Sequence, residues 1–534
     1  TFRKAPKFFD VVTYTGDGTN GRAISHNLGS TPGCIFIKCT AGDSRPWAVY
    51  HRGTDATSPQ NYYLQLNETS ARVSDFYRFS NTAPTDAAFT VASSNDTNGN
   101  GNTYVAYLFA HNDGDGEFGP DGDQDIIKCG SYTGNGSNDG PEIDLGFEPQ
   151  WVMIKSVDNA DDWLILDSMR GWTTNKGAGI FATPNDKALF ANSSSADLSY
   201  NYVGLTSTGF QIESTEQNTS GNDYIYMAIR RGPLAPPESG TEVFEMDYRG
   251  NATSTSPAFE YNFSPDWLFY NQRSNATSSW AVATRLTNQH LNFDNTNAES
   301  GGKEWDIQNA YWDRAFSEDT DHISWAWKRA PSFFDVVAYT GDGVAGRTVS
   351  HNLGVAPEMM WVKRRDTADN WFVYHSGMND VDKHLRMNLA NDASTSTTRW
   401  NSTAPASTEF TLGTDSGVNA SGGTYIAYLF ATLPGVSKVG SYTGNGSSQT
   451  IDCGFTSGAR FILIKRTDSI SDWALFDSAR GIVLGNDPLL RLNETLAEVT
   501  DEDIVDPISS GFIVNSVSDR INVSGGTYIF YAIA

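Results

Sequence analysis

Cysteine is scarce. Four thiols in 534 residues cannot staple a chain of this size, so burial rather than a disulfide framework must hold it together. Long apolar runs are missing too. A membrane helix needs roughly 18–20 consecutive apolar residues, whereas runs such as Tyr104–Ala110 have only strand length, and no membrane insertion is expected. Strong helix formers give way to Gly, Thr, Ser and Asn, which argues against a helical protein. Positive charge is also short: 37 Lys and Arg face 63 Asp and Glu, for a formal net charge of −26. Phosphates would be repelled, so no nucleic-acid partner is expected. Charged residues make up only 19% of the chain while aromatics reach 12%, and disorder requires the reverse. What remains is a large, acidic, all-β chain of about three to five domains, at one per roughly 100–200 residues.

Internal repetition sharpens that number. The segment FFDVVTYTGDGTNGRAISHNLG from Phe8 returns from Phe333 as FFDVVAYTGDGVAGRTVSHNLG. A related type, KCGSYTGNG from Lys128, returns as KVGSYTGNG from Lys438. A divergent unit starts near Val243 with VFEMDYRGNATS. Three landmarks run through all five units. An apolar run ends at Lys38, Lys155, Asn271, Lys363 or Lys465. A tryptophan follows at Trp47, Trp163, Trp280, Trp371 or Trp473. A closing strand reads TYVAYLFA, DYIYMAIR, HISWAWKR, TYIAYLFA or TYIFYAIA. The order is A, B, C, A, B.

The expected domains are type A over 8–117, an acidic linker and type B over 118–232, and a Pro-rich linker with the divergent type C over 233–331. A second type A follows over 332–434 and a second type B over 435–534. Residues 1–7 match the end of a C unit, since FRKAPKFFD parallels WKRAPSFFD at Trp327–Asp335. They are therefore expected to close a further upstream repeat, which would make the chain part of a longer repeat protein.

Within each unit, β-branched and aromatic runs of strand length alternate with Gly, Asn, Asp, Ser and Thr clusters. The five-residue apolar runs leave no polar face and so predict strands covered on both sides. The repeated tryptophan is expected to fill the core between two sheets. The fold predicted is all-β: a linear array of β-sandwich, jelly-roll-like repeat domains.

Candidate chemistry is tested against the repeats. Cys34, Cys129 and Cys453 stand where partner units hold Met359, Val439 and Leu145, and Cys39 stands where Arg364 does; small core fillers are expected. Cys34 and Cys39 alternate faces of one strand, which disfavours a disulfide, and no CxxC or HxxxH spacing suggests zinc. His26 and His51 recur as His351 and His375 and have the chemistry of a general base. The B units form without them, however, so a hydrogen-bonded turn role is expected. Asp167 with Arg170, repeated as Asp477 with Arg480, predicts a structural ion pair over a ligand clamp. No nucleophile elbow, P-loop or HExxH occurs, and no catalytic residues are assigned. The acidic linker offers Asp113, Asp115, Glu117, Asp121, Asp123 and Asp125 as hard oxygen ligands suited to calcium. It lacks the EF-hand glycine and closing glutamate, and the equivalent junction TLPGVSK has no acids. A solvated acidic turn is the competing reading. Sequons at Asn67, Asn218, Asn275, Asn401 and Asn522 are weak signals in so polar a composition.

The stretches Tyr339–Gly354, Pro357–His375 and Gly422–Ala431, with Lys438–Gly446 and Gly525–Ala534 in the B type, resemble a repeat domain of uncharacterised function. That family occurs in virion proteins of marine and cyanobacterial phages, in tail fibres and related appendages. The resemblance covers most of the chain and is weakest over Val243–Arg329. It implies lectin-like sandwiches at the virion surface, other virion proteins and host surface glycans as partners, and a homotrimer; it brings no active site. The leading expectation is a non-enzymatic tail-fibre or appendage protein binding host polysaccharide. A capsid decoration or spacing protein is the second reading, and a polysaccharide depolymerase the third.

Overall fold

The computed structural model describes residues 1–41, 45–174, 186–199, 202–248, 259–274, 276–301, 311–312, 321–515 and 520–534. Asn275, one of the sequons, lies outside them. The chain divides into two compact units, the first Thr1–Trp172 with Pro184–Leu234, the second Thr173–Thr183 with Ala235–Ala534.

Among the described residues all strand pairing is antiparallel, and each ladder stays within one repeat. The first A sandwich (A1) has a six-stranded sheet in the order Phe9–Thr15, Thr103–Phe109, Cys34–Cys39, Ala48–His51, Tyr62–Gln65, Val73–Ser74. Its facing pair is Arg22–Ser25 with Ala88–Val91. The second A sandwich (A2) repeats this arrangement from Phe334–Thr340 to Ser394–Thr395. The B sandwiches (B1 and B2) set a large sheet, built on Pro149–Ser156 or Phe461–Arg466, against a three-stranded one. The C sandwich keeps a five-stranded sheet, Phe244–Tyr248, His322–Trp327, Trp267–Gln272, Ala281–Thr284, His290–Asn292. B1 and A1 lie in unit 1; C, A2 and B2 lie in unit 2.

The YTGDG and YTGNG motifs open every A and B sandwich for steric reasons. A Cβ at Gly16, Gly134, Gly341 or Gly444 would collide with the carbonyl of Gly99, Thr219, Ala420 or Val523. The second glycine of the motif takes positive φ, +73° at Gly18, where other residues are strained. The motif tyrosine stacks on the tyrosine of the closing strand, at 5.1 Å for Tyr14 and Tyr104 and 4.9 Å for Tyr442 and Tyr528. A fully buried asparagine closes the turn: Asn98, Asn218, Asn419 and Asn522 accept from the backbone N–H of Asp17, Asn135, Asp342 and Asn445. Two of the sequon asparagines, Asn218 and Asn522, are therefore sealed turn-formers.

The large sheets are buried on both faces, as the unbroken apolar runs require. In A2, Met360, Val362, Phe372 and Tyr374 line the sandwich's own core. The alternate residues Trp361, Trp371 and Val373 are equally buried but face the other way. The repeated tryptophan thus corrects the expectation that it fills the space between its own sheets: Trp163, Trp280, Trp371 and Trp473 each lie against a neighbouring sandwich. In unit 2 the row of sandwiches closes on itself. Aromatic rings of all three meet, with Trp267 of C against Tyr428 of A2 at 4.9 Å, Phe430 of A2 against Tyr531 of B2 at 5.0 Å, and Phe461 of B2 against Trp327 of C at 5.3 Å.

Candidate functional site

The recurring tryptophan and lysine form one interface device, used repeatedly. In each sandwich the backbone N–H of the tryptophan donates to an Asn or Asp two residues past the end of a neighbouring strand: Trp47 to Asn67, Trp163 to Asn192, Trp280 to Asp294, Trp371 to Asn388, Trp473 to Asn493. That bond holds the ring outward. The indole N–H then donates to a backbone carbonyl of the neighbour. Trp163 of B1 reaches Gln65 of A1 at 2.9 Å, Trp371 of A2 reaches Asn292 of C at 2.8 Å, Trp473 of B2 reaches Arg386 of A2 at 3.0 Å, and Trp280 of C reaches Arg491 of B2 at 3.0 Å. The acceptors are equivalent positions. Each pairs, in its own sheet, with the residue that follows the latch tryptophan: Ala48 with Gln65, Ala281 with Asn292, Phe372 with Arg386, Ala474 with Arg491.

The lysine ending the preceding strand adds a second contact. Lys155, Lys363 and Lys465 are fully buried and donate to the carbonyls of Thr69, Thr296 and Ala390 of the neighbour, four residues beyond the indole acceptor. Each also caps a carbonyl of its own sandwich, Ser156, Arg364 or Ser471. Burial pushes all three ammonium groups down to about 8. A buried lysine survives only when its protons are spent on acceptors, and here the acceptors span two sandwiches.

The A-unit histidines are structural pins. The Nδ1 of His51 accepts from the Gly53 N–H at 3.0 Å, so Nε2 carries the proton and donates to the Tyr226 carbonyl of B1 at 3.0 Å. His375 repeats this with Gly377 and with Phe530 of B2. Burial lowers His51 to about 3 and His375 to about 4, which keeps both neutral. His26 and His351 hold the HNLG turn, their Nδ1 accepting from Leu28 and Leu353; burial lowers these as well. The hydrogen-bonded turn role expected from the sequence is what His26 and His351 perform, while the reach of His51 and His375 into the neighbouring sandwich was not expected. The signal was available: a side chain present in A and absent from B faces something only A touches.

Asp167 and Arg170 pair at 2.5 Å, and Asp477 and Arg480 at 2.6 Å. In B2 the Asp477 carboxylate also accepts from the Trp325 indole of C at 3.0 Å, which makes the motif part of the B2–C contact. Cys34, Cys39, Cys129 and Cys453 are buried free thiols; burial pushes Cys129 and Cys453 up to about 12.

Four of the six linker acids are held by loop backbone or by lysines. Asp125 accepts from the Gly114 and Gly116 N–H groups and Asp115 from the Asp113 N–H. Glu117 pairs with Lys7 at 2.8 Å, and Asp113 and Asp125 each lie 3.8 Å from Lys128. Asp121 and Asp123 are exposed at the loop tip. Among the described residues, no three His, Cys, Asp or Glu side chains converge to hold a metal ion. No helix among them is long and apolar enough to cross a membrane.

One surface feature is not required by the architecture. In A1 the short helical turn Phe76–Phe79 exposes Phe76 and Tyr77, 42% and 58% accessible, with rings 5.7 Å apart. The turn is anchored by Arg78, which lies over Tyr63 at 3.7 Å and pairs with Asp96 at 2.6 Å. In A2 the anchor is kept as Arg399, over Phe372 at 3.7 Å and paired with Asp415 at 2.7 Å. The exposed pair is there replaced by Thr397 and Thr398.

The fold and its latches define an all-β protein of tandem sandwiches that bind one another through outward tryptophans. The chain belongs to the family described as Domain of unknown function (DUF7483), which matches residues 5–233 and 240–534. The second stretch holds C, A2 and B2; the first holds A1 and B1. No curated protein and no solved structure matches the chain.

Proposed function

We propose that this chain is a structural and adhesive segment of a phage virion, part of a tail fibre or appendage, that binds host surface polysaccharide without cleaving it. The observation that carries the adhesive reading is the Phe76–Tyr77 pair. Two large rings are exposed on a rigid, ion-paired turn, at a position where the sister sandwich manages with threonines. Exposed aromatics that packing does not need mark contact sites, and flat rings flanked by Ser, Thr and Asn loops suit the apolar faces and hydroxyls of sugars. The residues with catalytic chemistry support a non-enzymatic reading, because His51, His375, Lys155, Lys363, Lys465, Asp477 and Arg480 are committed to contacts between sandwiches.

The test is a glycan array, with host polysaccharide, of the full chain and of a Phe76→Ala/Tyr77→Ala variant. Binding by the parent and loss in the variant support adhesion. Equal binding by both moves the contact elsewhere, and new reducing ends released from the polysaccharide would overturn the non-enzymatic reading. The repeated latches favour a second reading, an assembly or spacing role on the capsid. Cryo-EM of intact particles separates the two by location.

A further inference from the structure

Unit 2 is a closed set of three sandwiches, and unit 1 contains two of the same kinds with one contact made. From this mismatch we infer that unit 1 carries a docking face for a third β-sandwich of the C type, entering along Phe2–Lys4.

The donor side of that face is on A1. Trp47 is the counterpart of Trp371, but it is half-buried where Trp371 is sealed. Among the described residues nothing accepts from its indole. Lys38, the counterpart of Lys363, turns back to the Arg45 carbonyl of its own sandwich and lies 5.8 Å from the Trp47 ring. In unit 2 it is C that receives these two groups, at Asn292 and Thr296.

The B1 side is open in the same sense. Trp151 is half-buried, whereas its counterpart Phe461 is fully buried against Phe244 and Trp327 of C, at 5.4 and 5.3 Å. The Asp167 and Arg170 side chains remain 20% and 19% exposed; those of Asp477 and Arg480 are fully buried, with Trp325 of C donating to the aspartate. Asp167 therefore presents a carboxylate where a C-type tryptophan would bond.

The entry point identifies the occupant. Phe2 aligns with Trp327, the last residue of the strand His322–Trp327 in C. It sits between A1 and B1 as Trp327 does between A2 and B2, 5.5 Å from Phe109 and 6.5 Å from Trp151. Lys4 pairs with Asp10 at 2.7 Å as Arg329 pairs with Asp335 at 2.7 Å. The connection from C into A is thus already seated.

The experiment compares the full chain with the same chain extended by a copy of residues 235–326 placed directly before Phe2. N-bromosuccinimide oxidation of Trp47 and acetylation of Lys38 are read by peptide mass spectrometry, with Trp371 and Lys363 as sealed references and Trp163 as the internal standard for a folded A1–B1 pair. In the dilute chain, Trp47 and Lys38 should react about tenfold or more faster than their references, as solvent-open groups do. In the extended chain both should fall to the reference rates, and replacing the added copy's counterpart of Trp325 by Leu should restore exposure of Asp167 to carbodiimide labelling. Continued reactivity of Trp47 in the extended chain would overturn the inference. So would protection in the unextended chain that rises with concentration alongside a dimer in sedimentation, which would make a second copy the occupant.

Discussion

The indole N–H of Trp371 in A2 meets the carbonyl of Asn292 in C at 2.8 Å, one of several bonds that join the two sandwiches. Replacing Trp371 with Phe deletes the donor, leaves that carbonyl unpaired and opens space for the lost ring atoms. The expected cost to unit 2 is about 2–4 kcal/mol, measured as a shift in its denaturant midpoint. Trp47→Phe, at the half-buried counterpart that has no such acceptor among the described residues, should cost less than about 1 kcal/mol in the same chain.

Lys465 donates to Ala390 of A2 and Ser471 of B2 from full burial. Lys465→Met keeps the length and apolar stem but strands both carbonyls. A loss of about 1–3 kcal/mol is expected, and Lys465→Arg should not restore it, because a wider, planar head cannot enter the same space. Thermal unfolding of the two variants beside the parent checks both statements.

Acid should loosen each unit through its histidines. His51 is held at about 3 and His375 at about 4, below the roughly 6.5 of an unfolded chain. Above that value both states are neutral and nothing changes. Below it the unfolded chain takes up a proton the folded one refuses, so stability falls as pH drops from about 6.5 toward the folded values, by up to about 1.4 kcal/mol per pH unit for each histidine. Denaturant midpoints between pH 7 and pH 5 should decline, and His51→Gln should reduce the slope for unit 1, where burial also holds His111 down to about 4, while leaving that of unit 2 intact.

Asn419 accepts from the Asp342 N–H and donates to the Val344 and Gly413 carbonyls from complete burial. Asn419→Ala strands these backbone groups, so a loss of about 2–4 kcal/mol is expected. Hydrogen exchange should show the opening in the Gly341–Gly346 turn first. The exposed Phe76→Ala/Tyr77→Ala pair should shift stability by no more than about 1 kcal/mol, so a loss of glycan binding there cannot be attributed to unfolding.

Much of this fold was legible in the sequence because repetition supplies its own controls. The YTGDG turn, the apolar runs and the closing strands recur in register, and runs such as MMWVK and FILIK lack a polar face because both faces of the sheet are covered. The same property hid the role of the tryptophans. When both faces are buried, period-two alternation no longer says which side a residue takes, so Trp371 read as its own sandwich's core. Lys363 was visible only as a punctuation mark, since nothing along the chain shows that four residues past Asn292 a carbonyl waits for it. The acidic linker posed the opposite problem: six acids at close sequence spacing suggested convergence, yet Asp113 and Asp125 share Lys128, Glu117 turns to Lys7, and Asp121 and Asp123 stay exposed.

The latch between sandwiches has a direction. Each sandwich gives a tryptophan at one edge and offers a carbonyl at another, which is a head-to-tail contact, and such contacts either grow without limit or close into a ring. C, A2 and B2 close after three, each of their three latch indoles finding its carbonyl within the set. Among the described residues, a finished triplet therefore leaves no latch indole open. Gain or loss of a whole C–A–B set would leave the remaining sets intact, while loss of one sandwich would expose a donor and an acceptor at once. Proteins built this way should vary in length by threes.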